Sequence, residues 1–234
     1  MTDVKPKVVA VIPCYNTAPH ITEVVSKARQ YVDQVIVVDD GSTDDTAEVA
    51  RKAGALVLSH DKNRGKGAAM KYGAQQSHAD ILIFIDGDGQ HDPSEIPVLL
   101  KPLFDNQADL VIGSRHMNNS INKSAPIARR AANTFASTII SAVIQMKGYN
   151  DRYQQNYKKI TDCTSGFRAL KKEKWDRLQL LSNNYQIETE ITFESAKCGL
   201  IITEVPIHCI WGNSSTRLSI VGDGFRTISL ILKK

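Results

Sequence analysis

No apolar run in this 234-residue chain approaches the roughly 18 to 20 residues that a helix needs to cross a bilayer. The opening Met1-Thr2-Asp3-Val4-Lys5-Pro6 lacks the apolar core of a secretory signal peptide. Cysteine is scarce. Cys14, Cys163, Cys198 and Cys209 show neither paired zinc spacing nor the density of a disulfide scaffold, so reduced thiols in the cytosol are expected. A formal charge of +4 is too mild for general nucleic-acid binding, although basic residues gathered at one site can hold an anion. There is no internal repeat, no low-complexity tract and no Walker A loop. The loop Asn63-Arg64-Gly65-Lys66-Gly67 has neither the spacing nor the terminal Ser/Thr that Walker A requires. What remains, with 42% hydrophobic and 23% charged residues, is an ordinary globular composition of a size for one domain, with room for a small appended subdomain.

Apolar runs alternate with helical periodicity along the first half. Lys7 to Ile12 reads as a strand closed by Pro13, followed by an amphipathic helix carrying Ile21, Val24, Val25, Ala28, Tyr31 and Val32. Val35 to Val38 is the next strand, and Thr43 or Asp44 is placed to cap a helix ending near Gly54. Leu56 to Leu58, a helix over 68–77, the strand 81–85, a helix starting at Pro93 and the strand 110–112 follow. Strict β-α alternation with short connections predicts a Rossmann-like α/β fold, a mostly parallel sheet with helices on both faces. Beyond residue 115 the pattern changes. Ile127 to Ile144 reads as a long helix with Ala128, Ala131, Ala132, Phe135, Ala136, Ile139, Ile140 and Val143 on its apolar stripe. A polar, tyrosine-rich loop over 147–160, a helix near 189–198 and a strand over 200–207 complete the pattern.

The central strand Ile81-Leu82-Ile83-Phe84-Ile85 runs straight into Asp86-Gly87-Asp88-Gly89-Gln90-His91. A strand buried on both faces delivers these acids at its carboxyl end, where open α/β sheets place their ligands. Two carboxylates two residues apart on extended backbone can turn toward one hard cation; an acidic, solvated turn is the alternative. Asp39-Asp40-Gly41-Ser42 ends the neighbouring strand, where a carboxylate can accept from a base or ribose hydroxyl or simply cap a helix. The glycines and cations of 63–67 suit a diphosphate or a plain exposed turn.

Seven short segments in order resemble the family 2 glycosyltransferases of GT-A fold, over residues 7 to about 217. They are Pro13-Cys14-Tyr15-Asn16, Asp39-Asp40-Gly41-Ser42, Asn63-Arg64-Gly65-Lys66-Gly67, Asp86 through His91, Gly113-Ser114-Arg115, Asp162 through Arg168, and Glu204-Val205-Pro206-Ile207. The resemblance is greatest to the polyprenyl-phosphate (dolichyl-phosphate) mannose and glucose synthases. It implies a nucleotide-sugar half over 1–115 and an acceptor half over 116–217; the apolar residues of 218–234 read separately as an amphipathic C-terminal helix. It implies that Pro13, Tyr15, Asn16, Asp40, Lys66, Asp86, Gly87 and Arg217 line the donor site, with GDP-mannose or UDP-glucose as donor. Asp86, Asp88 and Gln90 would hold Mg²⁺ or Mn²⁺, with Asp88 and Arg115 catalytic. Ser114, Arg115, Arg129, Arg130, Ser165 and Arg168 would face the phosphate of a polyprenyl phosphate, and transfer would invert the anomeric centre. Thr17 and Trp211 stand where such relatives often carry Glu and Arg, and the 147–160 loop is longer than theirs.

A phosphate acceptor is mostly dianionic near neutral pH and needs arginines rather than a base. A saccharide or protein hydroxyl would need a carboxylate base such as Glu188 or Glu190, although a glutamate-bearing helix face is more often solvated. A non-catalytic nucleotide-sugar-binding protein is the reading from another class, and the paired Asp86 and Asp88 argue against it. A lipid acceptor also demands contact with a membrane surface. The apolar stretch 218–232 with Lys233-Lys234 suits an interfacial helix, or a helix packed on the domain. The chain is accordingly expected to be cytoplasmic, peripheral on the cytosolic face of a membrane.

Overall fold

The computed structural model of the protein describes residues 5–117, 127–147 and 159–210. Seven strands form one sheet: β1 Val8–Cys14, β2 Gln34–Asp39, β3 Leu56–Ser59, β4 Ile81–Phe84, β5 Leu110–Ser114, β6 Arg168–Lys171 and β7 Ile202–Pro206, in the order β3-β2-β1-β4-β6-β5-β7. All pairings are parallel except those of β6, which lies antiparallel between β4 and β5. The expected α/β architecture is thus present, with one added strand that sequence periodicity did not suggest.

The helices are α1 Ala18–Ala28, α2 Thr46–Lys52, α3 Lys66–Gln76, α4 Ile96–Phe104, α5 Ile127–Met146, α6 Lys172–Trp175 and α7 Ile187–Lys197. Successive residues of β1 point to opposite faces of the sheet. Val8, Ala10 and Ile12 therefore pack in the layer of α1, α2 and α4, while Val9 and Val11 pack in that of α3 and α7. A third cluster joins Ile140 and Ile144 of α5 to Phe193 and Ala196 of α7.

Several boundaries differ from expectation. Pro13 lies inside β1 rather than closing it, paired with Val38 of β2. α3 starts two residues early, which turns Lys66 from a loop residue into the first residue of a helix. The N-cap of α2 is Asp45, not Thr43 or Asp44, although the Asp44 carboxylate accepts from the Thr46 amide at 3.1 Å. The stripe of α5 is rotated from the predicted one: Asn133, Ser137, Ile140, Ser141 and Ile144 face inward, whereas Phe135 is 64% exposed. The reason is polar. Asn133 donates to the Thr161 carbonyl (2.9 Å), and the Ser137 hydroxyl accepts from the Cys163 amide (3.1 Å). The tail 218–234 lies outside the described residues, as does most of the 147–160 loop. Among the described residues no helix is long and apolar enough to cross a membrane.

β1 is flanked by β2 on one side and β4 on the other, which makes the gap between the ends of β1 and β4 the switch point of the sheet. α3 reaches it by packing closely on β1 and β2. A Cβ added to Gly73 would lie 2.4 Å from Val11 Cγ1 and 2.9 Å from Val38 Cγ2. Gly73→Ala should therefore destabilise the protein by about 1–2 kcal/mol in urea unfolding, overpacking outweighing the roughly 1 kcal/mol of better helix propensity. Val11→Ala in the same chain should recover part of the loss, and simple additivity of the two changes would contradict this packing.

Candidate active site

The carboxyl ends of β1, β2, β4 and β5 bring most of the anticipated residues to one edge. At the end of β2, Asp40 is buried and accepts from the backbone of the following loop, from Arg64 N at 2.9 Å and Gly65 N at 2.7 Å. His60 Nδ1 lies 2.6 Å from its other contact, Oδ1, and its ring stacks on Tyr72. Asp40 thus shapes the 63–65 turn. Asn16, at φ 53°, accepts from the Thr43 amide at 2.8 Å and donates its own amide to the Ser42 hydroxyl at 2.9 Å. The loops after β1 and β2 are tied to each other through this residue.

Beyond β4, Lys66 Nζ lies 2.5 Å from Asp86 Oδ1 and also contacts Glu188 Oε1 of α7. Glu188 is 3% exposed and Glu190 is fully buried, so the expectation of a solvated glutamate face is overturned. α7 lies in the same layer as α3, and the charges of its first turn are spent inside. Glu190 accepts from the amides of Leu181 (3.0 Å) and Ser182 (2.8 Å). Gly87 is required by close approach, because a Cβ there would meet Cys14 Sγ at 2.5 Å. Gly166 backs the ion pair, with its added Cβ 2.4 Å from Asp86 Oδ2 and 2.8 Å from Lys66 Nζ.

Burial works against ionising Asp86, but Lys66 above all, then His91 and Arg115, hold its carboxyl below the usual carboxylate range. Asp88 goes the other way, raised by burial and by repulsion from Asp86. Two acids forced apart in this manner are the arrangement that a bound cation relieves. Among the described residues no three His, Cys, Asp or Glu groups gather as a metal-binding set. Asp88 Oδ1 also accepts from the Gln90 amide at 3.0 Å, which turns the acid back toward that residue.

On the far side of β4, Arg115 grips Asp162 through Nε (2.7 Å) and Nη2 (2.8 Å), and its amide donates to the same carboxylate at 3.0 Å. Asp162 is seated by Glu204, whose Oε1 accepts its amide at 2.9 Å, while Glu204 Oε2 accepts from Thr161. Ser114 Oγ lies 2.7 Å from Thr161 Oγ1.

Arg168 starts β6 at this edge, paired with Phe84 of β4 and Ile112 of β5, but its side chain turns inward. Although expected to face a phosphate, it is the largest fully buried side chain among the described residues, and its guanidinium donates to the carbonyls of Ser165 (3.0 Å from Nε), Glu188 (2.7 Å) and Cys163 (3.3 Å). It braces the loop before β6 against the start of α7. Ser165 is likewise buried, its hydroxyl accepting from the Phe167 amide at 3.3 Å. Arg129 and Arg130 lie in the first turn of α5, and Arg217 lies outside the described residues. Sequence reasoning missed Glu188 as the partner of Lys66 and Asp162 as the partner of Arg115. Each pair joins residues too far apart for any local pattern to register.

Residues 9–178 match the model of the family described as Glycosyl transferase family 2. The chain is 30% identical to the undecaprenyl-phosphate mannosyltransferase of Micrococcus luteus, over 93% of this chain and 90% of that protein. It is 29% identical to a UDP-N-acetylglucosamine–dolichyl-phosphate N-acetylglucosaminyltransferase of Methanococcus voltae, over 86% and 84% of the two chains. Among solved structures, glucosyl-3-phosphoglycerate synthase from Mycobacterium tuberculosis, in complex with Mn²⁺, UDP and phosphoglyceric acid, superposes with a TM-score of 0.73. That match, 22% identical, covers 97% of this chain and 78% of the other and bears out the GT-A architecture.

The Arg115–Asp162 pair carries a pH signature. Burial disfavours the Asp162 carboxylate, but Arg115 overcomes it and holds the group below its ordinary 3.8. The pair therefore contributes stability above about pH 3.8, lost as pH falls through the lower folded value. In Arg115→Met the backbone amide of residue 115 and His116 still favour the carboxylate, but the guanidinium that outweighed burial is gone, so the folded value rises. The stability gap between wild type and variant should be about 3 kcal/mol at pH 7 and narrow toward pH 4 in urea melts. A gap independent of pH would contradict the pairing.

Proposed function

Since the chain belongs to glycosyl transferase family 2, we propose that it moves a hexose from a nucleotide diphosphate sugar to a polyprenyl phosphate, with inversion. The donor is GDP-mannose or UDP-glucose, and the work is done at the cytosolic face of a membrane. The observation that carries this reading is the state of the carboxylates. Glu188 and Glu190, the acids a hydroxyl acceptor would need as a base, are committed to Lys66 and to the Leu181 and Ser182 amides. A phosphate dianion brings its own nucleophilic oxygen and needs only cations to orient it. Arg115 at the end of β5, with Arg129 and Arg130 at the start of α5, supplies them. The names of the relatives from Micrococcus luteus and Methanococcus voltae support the same acceptor class.

In this reading residues 1–115 hold the donor and 116–217 the acceptor, with 218–234 touching the membrane. Pro13, Tyr15, Asn16, Gly87 and Arg217 line the donor site, and Asp40 shapes its floor by fixing the 63–65 turn. Asp86, Asp88 and Gln90 would hold Mg²⁺ or Mn²⁺, which meets the charge developing on the leaving diphosphate. Lys66 adds a fixed positive charge on the same side. Ser114 sits next to Arg115 at the acceptor phosphate. For Arg168 and Ser165 the support is for a bracing role behind the acceptor loop, not contact with the phosphate.

Incubation with radiolabelled GDP-mannose, UDP-glucose and UDP-N-acetylglucosamine, with short polyprenyl phosphates or polyprenols, tests the proposal. Label should pass to the phosphate and not to the alcohol, and EDTA should stop it. Asp88→Asn should lower transfer about 100-fold or more with an unchanged circular dichroism spectrum. Transfer that survives EDTA, or that favours polyprenol, would overturn the reading.

A further inference from the structure

Lys66 opens α3 at a point where no side chain other than its own fits. A Cβ on Gly65 would lie 2.3 Å from the Asn183 carbonyl oxygen, and one on Gly67 would lie 2.6 Å from that of Ser182. The Ala68 amide donates to Asn183 O at 3.1 Å, and Lys71 Nζ donates to Asn183 Oδ1 at 2.8 Å. The start of α3 is thus docked on the 180–187 segment that leads into α7, and the Lys66 ammonium emerges between Asp86 and Glu188.

A buried carboxylate is costly unless paired, and one ammonium already neutralises Asp86. The second acid, with 4% of its side chain exposed, is therefore not needed for charge balance at Asp86. It is itself fixed on both sides: the Glu188 carbonyl accepts from Arg168 Nη1 at 2.7 Å and from Thr192 Oγ1 at 3.0 Å. With its backbone so held, Glu188 gives Lys66 a second anchor besides Asp86.

We propose that Glu188 is a positioning residue: from the acceptor half it holds the Lys66 ammonium in place for the donor diphosphate and keeps it from collapsing onto Asp86 alone. The inference rests on the donor-site reading above. It explains why a glutamate in the buried first turn of α7 is paired with a lysine instead of standing as a base, and it ties donor binding to the helix that packs against α5.

The test is a double-mutant cycle on the full chain, with UDP and GDP as probes, each titrated by calorimetry with Mn²⁺ present, alongside KM and kcat for whichever donor is used. Glu188→Gln should weaken binding of the preferred nucleotide about tenfold, as loss of a group that orients a ligand's partner typically does, and raise donor KM more than it lowers kcat. Glu188→Asp should recover part of the affinity. In a Lys66→Met background, Glu188→Gln should cost nothing further, because it acts only through Lys66. Thermal melts verify folding of each variant, and Glu188→Asp carries the comparison should the Gln variant fail to fold. Equal losses in both backgrounds, or a lowered melting temperature with unchanged nucleotide affinity, would overturn the inference while leaving the donor site standing. Wild-type binding of neither nucleotide would overturn the donor site and this inference with it.

Discussion

One ammonium, Lys66 Nζ, touches carboxylates from two parts of the chain that meet nowhere else in ionic contact at this edge: Asp86 after β4 and Glu188 on α7. The geometry around it is tight because three glycines, Gly65, Gly67 and Gly166, let backbone approach where any side chain would collide. In a low-dielectric setting an ion so held is far stronger than its surface counterpart, and removing either partner strands a buried charge. The position of Asp86, the docking of α3 on the 180–187 segment and the seating of α7 all follow from satisfying this group.

Charge is handled in the same way across the site. Arg115 is matched to Asp162, whose backbone amide is held by Glu204, so the end of β5 carries one ion pair seated by a second carboxylate. Asp86 and Asp88 are set against each other, across Gly87. The sheet's switch point therefore carries excess negative charge beside two fixed cations, a field that suits a divalent ion bridging to a diphosphate.

Much of this was legible beforehand, for identifiable reasons. Buried parallel strands are apolar runs, and Asp86, Asp40 and Arg115 directly follow such runs, so their arrival at one edge is readable from pattern and topology rules. β6 was not readable: Arg168-Ala169-Leu170-Lys171 is four residues without alternation, and its partners β4 and β5 lie far back in the chain. α7 misled because glutamates at helical spacing ordinarily mark a wet face, and only Lys66 and the 181–182 amides explain their burial. Arg168 shows the limit of motif reasoning. It sits in the segment that resembles an acceptor loop, yet its guanidinium is consumed by three carbonyls, whereas Arg115, with the same chemistry, stands at a strand end beside the carboxylates.

The central claim is that the acids after β4 take a divalent cation together with the donor's diphosphate. Anomalous diffraction at the manganese edge, from crystals grown with Mn²⁺ and a nucleoside diphosphate, tests it most directly. One strong peak is expected within coordination distance of Asp88 and of the diphosphate oxygens, with Asp86 and Gln90 beside it. A bound nucleotide with no peak there, its diphosphate met by lysine and arginine alone, would contradict it.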